Sequence, residues 1–266
     1  MFASLFSYLL WRLKTSNTKH KGYITCSDSL IYYEIYGKQK PPLLLLHGGL
    51  TSVESWYAQL PTLSRDFQLI IIDMRGHGRS NIGHQPFDYD LLTSDTLAVL
   101  DQLHLKKVDI LGWSDGGIVG LKLAINQPHR VNKLIAISAN YNLQGLTREA
   151  ITAMKYATPS NHSIIARFIY YIIAPEPKQW KNLWYNVTGM WAAYPQITHD
   201  ELSHIKAKTL FIQGENDLIS LQHFNQMADS VFNSQRFIVP NTGHNAMQQA
   251  PQIINQAIVK FLKLQY

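Results

Sequence analysis

Three residue types that together can make a nucleophilic hydrolase stand in order along this chain. Ser114 lies in a Gly-x-Ser-x-Gly pattern, Asp217 follows it, and His244 comes later still. A serine hydroxyl is a weak nucleophile until a base takes its proton, and an imidazole serves as that base when a carboxylate orients it. The order serine, acid, histidine therefore predicts acyl transfer through a covalent intermediate on Ser114.

The sequence around Ser114 favours a sharp turn from a strand into a helix. The apolar run 108–111 precedes the motif, and a helix-like segment, 118–126, follows it. Gly112 and Gly116 lack the side chains that would collide in so tight a turn. The helix start directs free N–H groups and a positive dipole end toward the hydroxyl. The motif alone leaves open a structural turn with an incidental serine.

Asp217 and His244 each follow an apolar run that predicts a strand. The carboxyl ends of parallel strands meet at one edge of a sheet, so we expect both side chains near Ser114. Glu215, two residues before Asp217, is the alternative acid and ranks behind it. Taken singly, Asp217 could form a turn and His244 could belong to a surface loop. Because both follow Ser114 in the order that the chemistry needs, we give those interpretations less weight.

Three other reactive side chains receive structural assignments. We expect His47 to brace the adjacent glycine loop through its ring nitrogens and His77 to belong to a structural turn. Cys26 is the chain's one cysteine, so it forms no internal disulfide, and we expect it to be a small apolar residue.

An acyl-transfer site also needs two N–H donors for the oxyanion. We expect them from Asp115, which follows the nucleophile, and from Gly49, after the apolar run 43–46; the alternative is that Gly48 and Gly49 merely form a turn. The negative charge of the Asp115 carboxylate would repel the negative charge that develops on the substrate oxygen during the reaction. The side chain must therefore turn away, be stabilised by the helix start, or meet a cation, which is either a protein group or a substrate ammonium.

Apolar runs and helical segments, including one helix expected near 53–63, alternate along most of the chain, which predicts a doubly wound, mostly parallel α/β sheet with helices on both faces. The alternation stops between 141 and 204, where Trp and Tyr are frequent and prolines cut the chain into short pieces. We predict a helical cap over residues 141–204, with Trp184 and Trp191 binding substrate. The core comprises 22–140 and 205–266; a plain second helical layer is the alternative for the cap.

The segment 1–21 is apolar at first and basic afterwards. It is too short to span a bilayer, and its charges follow the apolar part, unlike those of a cleaved signal peptide. One helical face carries Phe2, Leu5, Phe6, Leu9 and Leu13. Residues 1–14 could therefore lie in a membrane interface or pack on protein, and the sequence leaves both open.

Composition bounds the remaining functions. The chain has 266 residues, 46% of them hydrophobic, and a formal charge of +6 without a long basic block. We expect a cytoplasmic protein that acts on a small-molecule substrate and binds no nucleic acid. No Cys/His metal spacing occurs, so we expect no metal. The oligomeric state stays open.

Several motifs together resemble the α/β-hydrolase family. They are His47-Gly48-Gly49, Asp73-x-Arg75-Gly76-x-Gly78-x-Ser80, Gly112-Trp113-Ser114-Asp115-Gly116-Gly117, Gly214-x-x-Asp217 and Gly243-His244. The resemblance runs from Pro41 to the C-terminus and implies an eight-stranded, mostly parallel sheet, a cap between strands six and seven, and no cofactor. The hexapeptide around Ser114 resembles the valacyclovirase (biphenyl hydrolase-like) group, which does not imply the apolar segment 1–14.

These observations predict a serine hydrolase that cleaves a small ester, and the hexapeptide adds an α-amino ester as a candidate. Amide or peptide, lactone, thioester and C–C bond cleavage remain alternatives on the same three side chains. A ligand-binding protein without catalysis and a membrane-attached scaffold are the alternatives from other classes.

Overall fold

The computed structural model describes residues 2–15 and 19–264, and a single eight-stranded sheet organises them. Its strands are β1 (Lys19–Cys26), β2 (Ser29–Tyr36), β3 (Pro42–Leu46), β4 (Gln68–Ile72), β5 (Val108–Trp113), β6 (Val131–Ile137), β7 (Lys208–Gly214) and β8 (Ser234–Val239). Their spatial order is β1-β2-β4-β3-β5-β6-β7-β8. β1 and β2 are antiparallel, as are β2 and β4, and the other neighbours are parallel. The predicted mostly parallel sheet is confirmed.

Helices cover both faces of the sheet. They are α1 (Phe2–Thr15), α2 (Leu60–Leu63), α3 (Tyr89–Gln102), α4 (Asp115–Asn126), α5 (Arg148–Tyr156), α6 (Ile164–Ile173), α7 (Trp180–Ala193), α8 (His199–Ser203), α9 (Leu221–Asp229), α10 (Ala246–Gln249) and α11 (Pro251–Lys263). α3, α4 and α9 pack on one face, and α1, α2 and α11 on the other. The sheet is therefore covered by helices from both sides, as the alternating pattern predicted.

Burial on both faces explains the leucine run of β3. Leu44 and Leu46 join the core on the α4 face, whereas Leu43 and Leu45 join the core on the α2 face. Successive side chains of a strand point to opposite faces, so a central strand needs apolar residues at every position.

The single helix expected near 53–63 is wrong. The structure has a 3₁₀ turn at Val53–Trp56, followed by the short helix α2. Pro61 lies near the start of α2, where its missing N–H costs nothing, but it could not continue a helix from the preceding turn.

The four helices α5 to α8 fall between β6 and β7, in the segment predicted as a cap. The prolines at 159, 175 and 195 lie between these helices, which explains why the pieces are short. The N–H of Ile197 donates to the carbonyl of Tyr141 (2.8 Å), so the two ends of the segment lie side by side. The division into core and cap stays a prediction.

The N-terminal helix α1 packs on its own protein through one face. Tyr8 and Arg12 both donate hydrogen bonds to Glu54, and Arg12 also pairs with Glu34 at 2.7 Å. Trp11 donates to the hydroxyl of Ser64 at 2.8 Å. These contacts tie α1 to the core by charge as well as by apolar packing.

The other face of α1 is exposed, including Phe6, Leu9, Leu10 and Leu13. The side chains of Phe2 and Leu5, and residues 1 and 16–18, lie outside what the structure describes. In the described ranges, no helix combines the length and the apolar character needed to cross a bilayer.

Candidate active site

Ser114 occupies a strained turn between β5 and α4. Its backbone has φ 52° and ψ −119°, a conformation that residues other than glycine rarely adopt. A Cβ added to Gly112 would lie 2.2 Å from the carbonyl oxygen of Gly116, and one added to Gly116 would lie 2.1 Å from that of Leu46. α4 begins at Asp115, directly after the serine. The motif therefore forms the sharp turn from strand to helix that the sequence predicts, and we call this turn the elbow.

The structure brings Ser114, His244 and Asp217 together. The Oγ of Ser114 lies 3.0 Å from Nε2 of His244, and Nδ1 of His244 lies 2.7 Å from Oδ1 of Asp217. Asp217 follows β7 and His244 follows β8, so both stand at the edge where β5 ends. A carboxylate can only accept, so Nδ1 carries the proton and leaves Nε2 free to accept one from the serine.

Hydrogen bonds keep Asp217 charged. Burial alone would raise the pKa of this carboxyl, but the bonds from His244 and the hydroxyl of Ser138 outweigh it and hold the pKa below its ordinary value. Ser138 donates to Oδ2 at 2.6 Å and follows β6 directly. The acid therefore has one oxygen for His244 and the other fixed by Ser138.

The backbone of His244 is fixed by the residue before the nucleophile. The indole N–H of Trp113 donates to the carbonyl of His244 at 3.0 Å, across 131 positions of sequence. The same ring lies against Gly48, where an added Cβ would come within 2.9 Å of it. Trp113 thus contacts both the base and the loop after β3.

Two backbone N–H groups are available for an oxyanion. The N–H of Asp115 opens α4, and within the described residues neither it nor the N–H of Gly49 donates to another backbone group. A Cβ on Gly49 would lie 2.4 Å from Oδ2 of Asp115, so the two residues adjoin. Their assignment as the oxyanion hole stays a prediction.

His47 braces the loop as expected from its position. Its Nε2 accepts the N–H of Met74 at 2.9 Å, and its Nδ1 therefore carries a proton for the carbonyl of Gly48, 2.7 Å away. Burial lowers the pKa of His47 to about 3, so the ring is neutral. His77 is likewise buried, with its pKa lowered to about 4 and Nδ1 lying 2.8 Å from the carbonyl of Arg75.

The Asp115 carboxylate is held by two neutral protein donors. The indole N–H of Trp191 is shared between its oxygens at 2.9 and 3.0 Å, and the hydroxyl of Tyr89 donates at 2.9 Å. Burial raises the pKa of Asp115 despite these bonds. The protein partners of this side chain are thus neutral donors and not a cation, and Trp191 reaches the site through Asp115. A contact of Asp115 with a substrate ammonium stays a prediction.

The structure also describes the surroundings of Glu215 and Trp184. Glu215 is exposed and accepts the N–H of Asn241 at 2.9 Å, so its side chain braces the turn before His244. Trp184 is 3% exposed, and its ring packs near those of Trp180 and His162 within the cap. This burial favours a packing role for Trp184, and its substrate contact stays a prediction.

Sequence reasoning missed three positioning residues: Ser138, Trp113 as a donor, and Tyr89. Each acts on a residue far away in sequence, and none belongs to a spacing that predicts its partner. One signal was present for Ser138, a polar residue ending an apolar strand next to β5 in the sheet. In the described part of the chain, no three His, Cys, Asp or Glu side chains are grouped to hold a metal ion.

Comparisons with known proteins agree with this architecture. The family described as alpha/beta hydrolase fold matches residues 41–160. The AB hydrolase superfamily protein YisY of Bacillus subtilis is 27% identical over 83% of this chain and 91% of its own length. Serine hydrolase BPHL of Mus musculus is 26% identical over 88% of this chain and 83% of its own.

A solved structure extends the likeness to three dimensions. A hydrolase from Pseudomonas aeruginosa PA01 superposes with a TM-score of 0.72 at 26% identity, covering 92% of this chain and 99% of that one. The chain therefore has the α/β-hydrolase fold and, like the hydrolases that it resembles, is an enzyme of the ester-hydrolase type.

Proposed function

We propose that the enzyme cleaves a small ester through an acyl-enzyme intermediate, with Ser114 as nucleophile, His244 as base and Asp217 as orienting acid. The observation that carries this proposal is the connected pair of hydrogen bonds, 3.0 Å from Ser114 to His244 and 2.7 Å from His244 to Asp217. The strained backbone of Ser114 adds support because it presents the hydroxyl at the sheet edge.

The chemistry proceeds in two transfers. Oγ of Ser114 attacks the ester carbonyl while Nε2 of His244 takes its proton, and the oxyanion meets the N–H groups of Gly49 and Asp115. The tetrahedral intermediate then expels the alcohol, which receives the proton from His244. Water repeats the sequence on the acyl-enzyme and releases the acid and the free serine.

The Asp115 carboxylate favours an α-amino ester as the substrate. Its direct donors, Trp191 and Tyr89, are both neutral, so a substrate ammonium would supply a positive charge that these donors lack. The hexapeptide around Ser114, which resembles that of the valacyclovirase group, supports the same choice. The similarity to Serine hydrolase BPHL supports the use of a serine nucleophile. In an α-amino ester the ammonium and the scissile carbonyl are close enough to meet Asp115 and Ser114 together.

The catalytic claim is tested by labelling with a fluorophosphonate probe. We expect the native protein to react at Ser114 and the Ser114→Ala variant to remain unlabelled. A native protein that resists the probe would favour a ligand-binding role without catalysis.

The substrate claim needs a separate measurement. Short ester, amide, lactone and thioester substrates should be compared on the unlabelled native enzyme, with α-amino esters set against their desamino counterparts. We expect esters to lead and the amine to raise kcat/KM in the wild type. That preference should vanish in Asp115→Ala; its survival there would remove the ammonium site from the proposal.

We also propose a peripheral contact of α1 with a membrane surface. Its outward face, which includes Phe6 and Leu9, supports this contact because the opposite face is already packed on the core. Phe6→Asp with Leu9→Asp should reduce sedimentation with anionic vesicles. Unchanged sedimentation would leave α1 with a packing role alone.

A further inference from the structure

Helix α6 of the cap presents a continuous apolar face to solvent. Five of its large side chains are 62–77% exposed, and we call them the cap apolar face: Ile164, Ile165, Phe168, Tyr171 and Ile172. The spacing places them on one side of the helix. Exposed faces of this kind mark interaction sites, because leaving so much apolar surface in water has a free-energy cost.

The opposite side of α6 is already used. Tyr170 is buried, and its ring lies 5.4 Å from that of Trp180 at the start of α7. The helix is thus oriented by packing within the cap, and the cap apolar face is what remains available to a partner.

Charge around the cap apolar face indicates the chemistry of that partner. Between 148 and 193, five basic residues stand against two acidic ones, and α6 itself has Arg167 and no acid. The basic side chains are Arg148, Lys155, Arg167, Lys178 and Lys181, and the acids are Glu149 and Glu176. Arg167 lies on α6 itself, and Lys178 and Lys181 belong to the elements that pack against α6. An apolar face with cations nearby suits an anionic lipid surface, which takes up the apolar side chains and attracts the cations.

A second copy of the chain fits this surface less well. Two copies would bring together surfaces of the same sign on a protein whose formal charge is +6. Tyr171 also favours a lipid surface as the partner, because tyrosine combines an apolar ring with a polar hydroxyl that suits the boundary between lipid and water.

We infer that the cap apolar face docks the enzyme onto anionic lipid surfaces. The docked helix and the active site belong to one structural unit: α6 packs on α7, and α7 carries Trp191 to the carboxylate of Asp115. This inference concerns binding alone, so it stands or falls independently of the acyl-enzyme chemistry.

Vesicle sedimentation of the full chain tests the inference. The probes are vesicles of phosphatidylcholine alone and of phosphatidylcholine with phosphatidylglycerol. The variant is Phe168→Asp with Ile172→Asp, and the matched control is Phe232→Asp, because Phe232 is 94% exposed on the core. Circular dichroism and melting temperature establish that each variant is folded.

We expect the wild type to bind the phosphatidylglycerol vesicles, less tightly as salt rises. Binding should fall at least tenfold in the Phe168/Ile172 variant and stay unchanged in the Phe232 control. Equal binding by the folded Phe168/Ile172 variant, or equal loss in the control, overturns the inference. So does a concentration-dependent dimer in sedimentation velocity that this variant abolishes, since the face would then join two copies of the chain.

Discussion

The catalytic edge of the core and the cap above it tolerate change very differently. At the edge, a Cβ on Gly116 would lie 2.1 Å from the carbonyl oxygen of Leu46, a backbone atom that cannot move aside. In the cap, a Cβ on Gly189 of α7 would meet nothing within 4 Å. The turn that carries Ser114 is therefore fixed by backbone contacts, whereas α7 has open space beside Gly189. Reaction type is set at the edge, and we expect substrate preference to be set in the cap.

The largest loss of activity is expected from Ser114→Ala, at the catalytic edge. Removing the nucleophile should lower kcat by roughly a millionfold, as loss of a triad serine does elsewhere. The melting temperature should change little, since the hydroxyl faces His244 and not the apolar core. Purified mutant protein that keeps more than a tenth of wild-type turnover contradicts the assignment.

The choice of acid is tested by Asp217→Asn, with Glu215→Gln as the matched control. The asparagine amide would favour the wrong imidazole tautomer, so kcat should fall about ten-thousandfold. Glu215 braces a turn and its substitution should cost far less. A larger loss at Glu215 than at Asp217 would reverse the assignment.

A pair of glycine substitutions tests the comparison itself. Gly116→Ala should distort the elbow and lower both kcat, by about a hundredfold, and the melting temperature, since strained placement of a nucleophile is costly. Gly189→Ala lies inside α7 and should leave activity intact while stabilising the fold by up to about 1 kcal/mol. Similar effects at the two sites would show that the edge and the cap do not differ in this way.

The smallest expected effect is a change in substrate ranking. Trp191→Phe removes the indole N–H from Asp115 and should shift relative kcat/KM values by up to about tenfold, because one hydrogen bond to a charged group is lost. Trp184→Phe should mainly lower the melting temperature, since that ring packs within the cap. An unchanged ranking in Trp191→Phe would confine its role to packing.

The strands and the catalytic order were predictable from sequence because both depend on local patterns. The run Leu43–Leu46 predicts a strand buried on both faces, and the glycines around Ser114 predict a tight turn. Neither prediction requires knowledge of the tertiary contacts. The bond from Trp113 to His244 was not predictable, since it depends on how β5 and the loop after β8 meet. The hydrogen bonds from Tyr89 and Trp191 to Asp115 were not predictable either, because they depend on how α3 and α7 pack around the site.

In two places composition alone did not determine where a side chain or a helix lies. Trp184 and Trp191 lie seven residues apart in one helix and carry the same side chain, yet the first packs on Trp180 while the second reaches Asp115. The segment 53–63 has a helical composition, but Pro61 prevents one continuous helix there. In both cases tertiary geometry decided what residue type left open.

The hydrogen bond from Ile197 to Tyr141 has a consequence for protein engineering. The bond closes the base of the cap beside β6 and β7, whose own parallel ladder sets their register, with Ile137 opposite Ile212. The closure entropy of a loop rises by only ~0.6 kcal/mol for each doubling of its length. Caps of other lengths and compositions should therefore be transplantable between these two residues, which makes the junction a natural site for building chimeric enzymes with new substrate ranges.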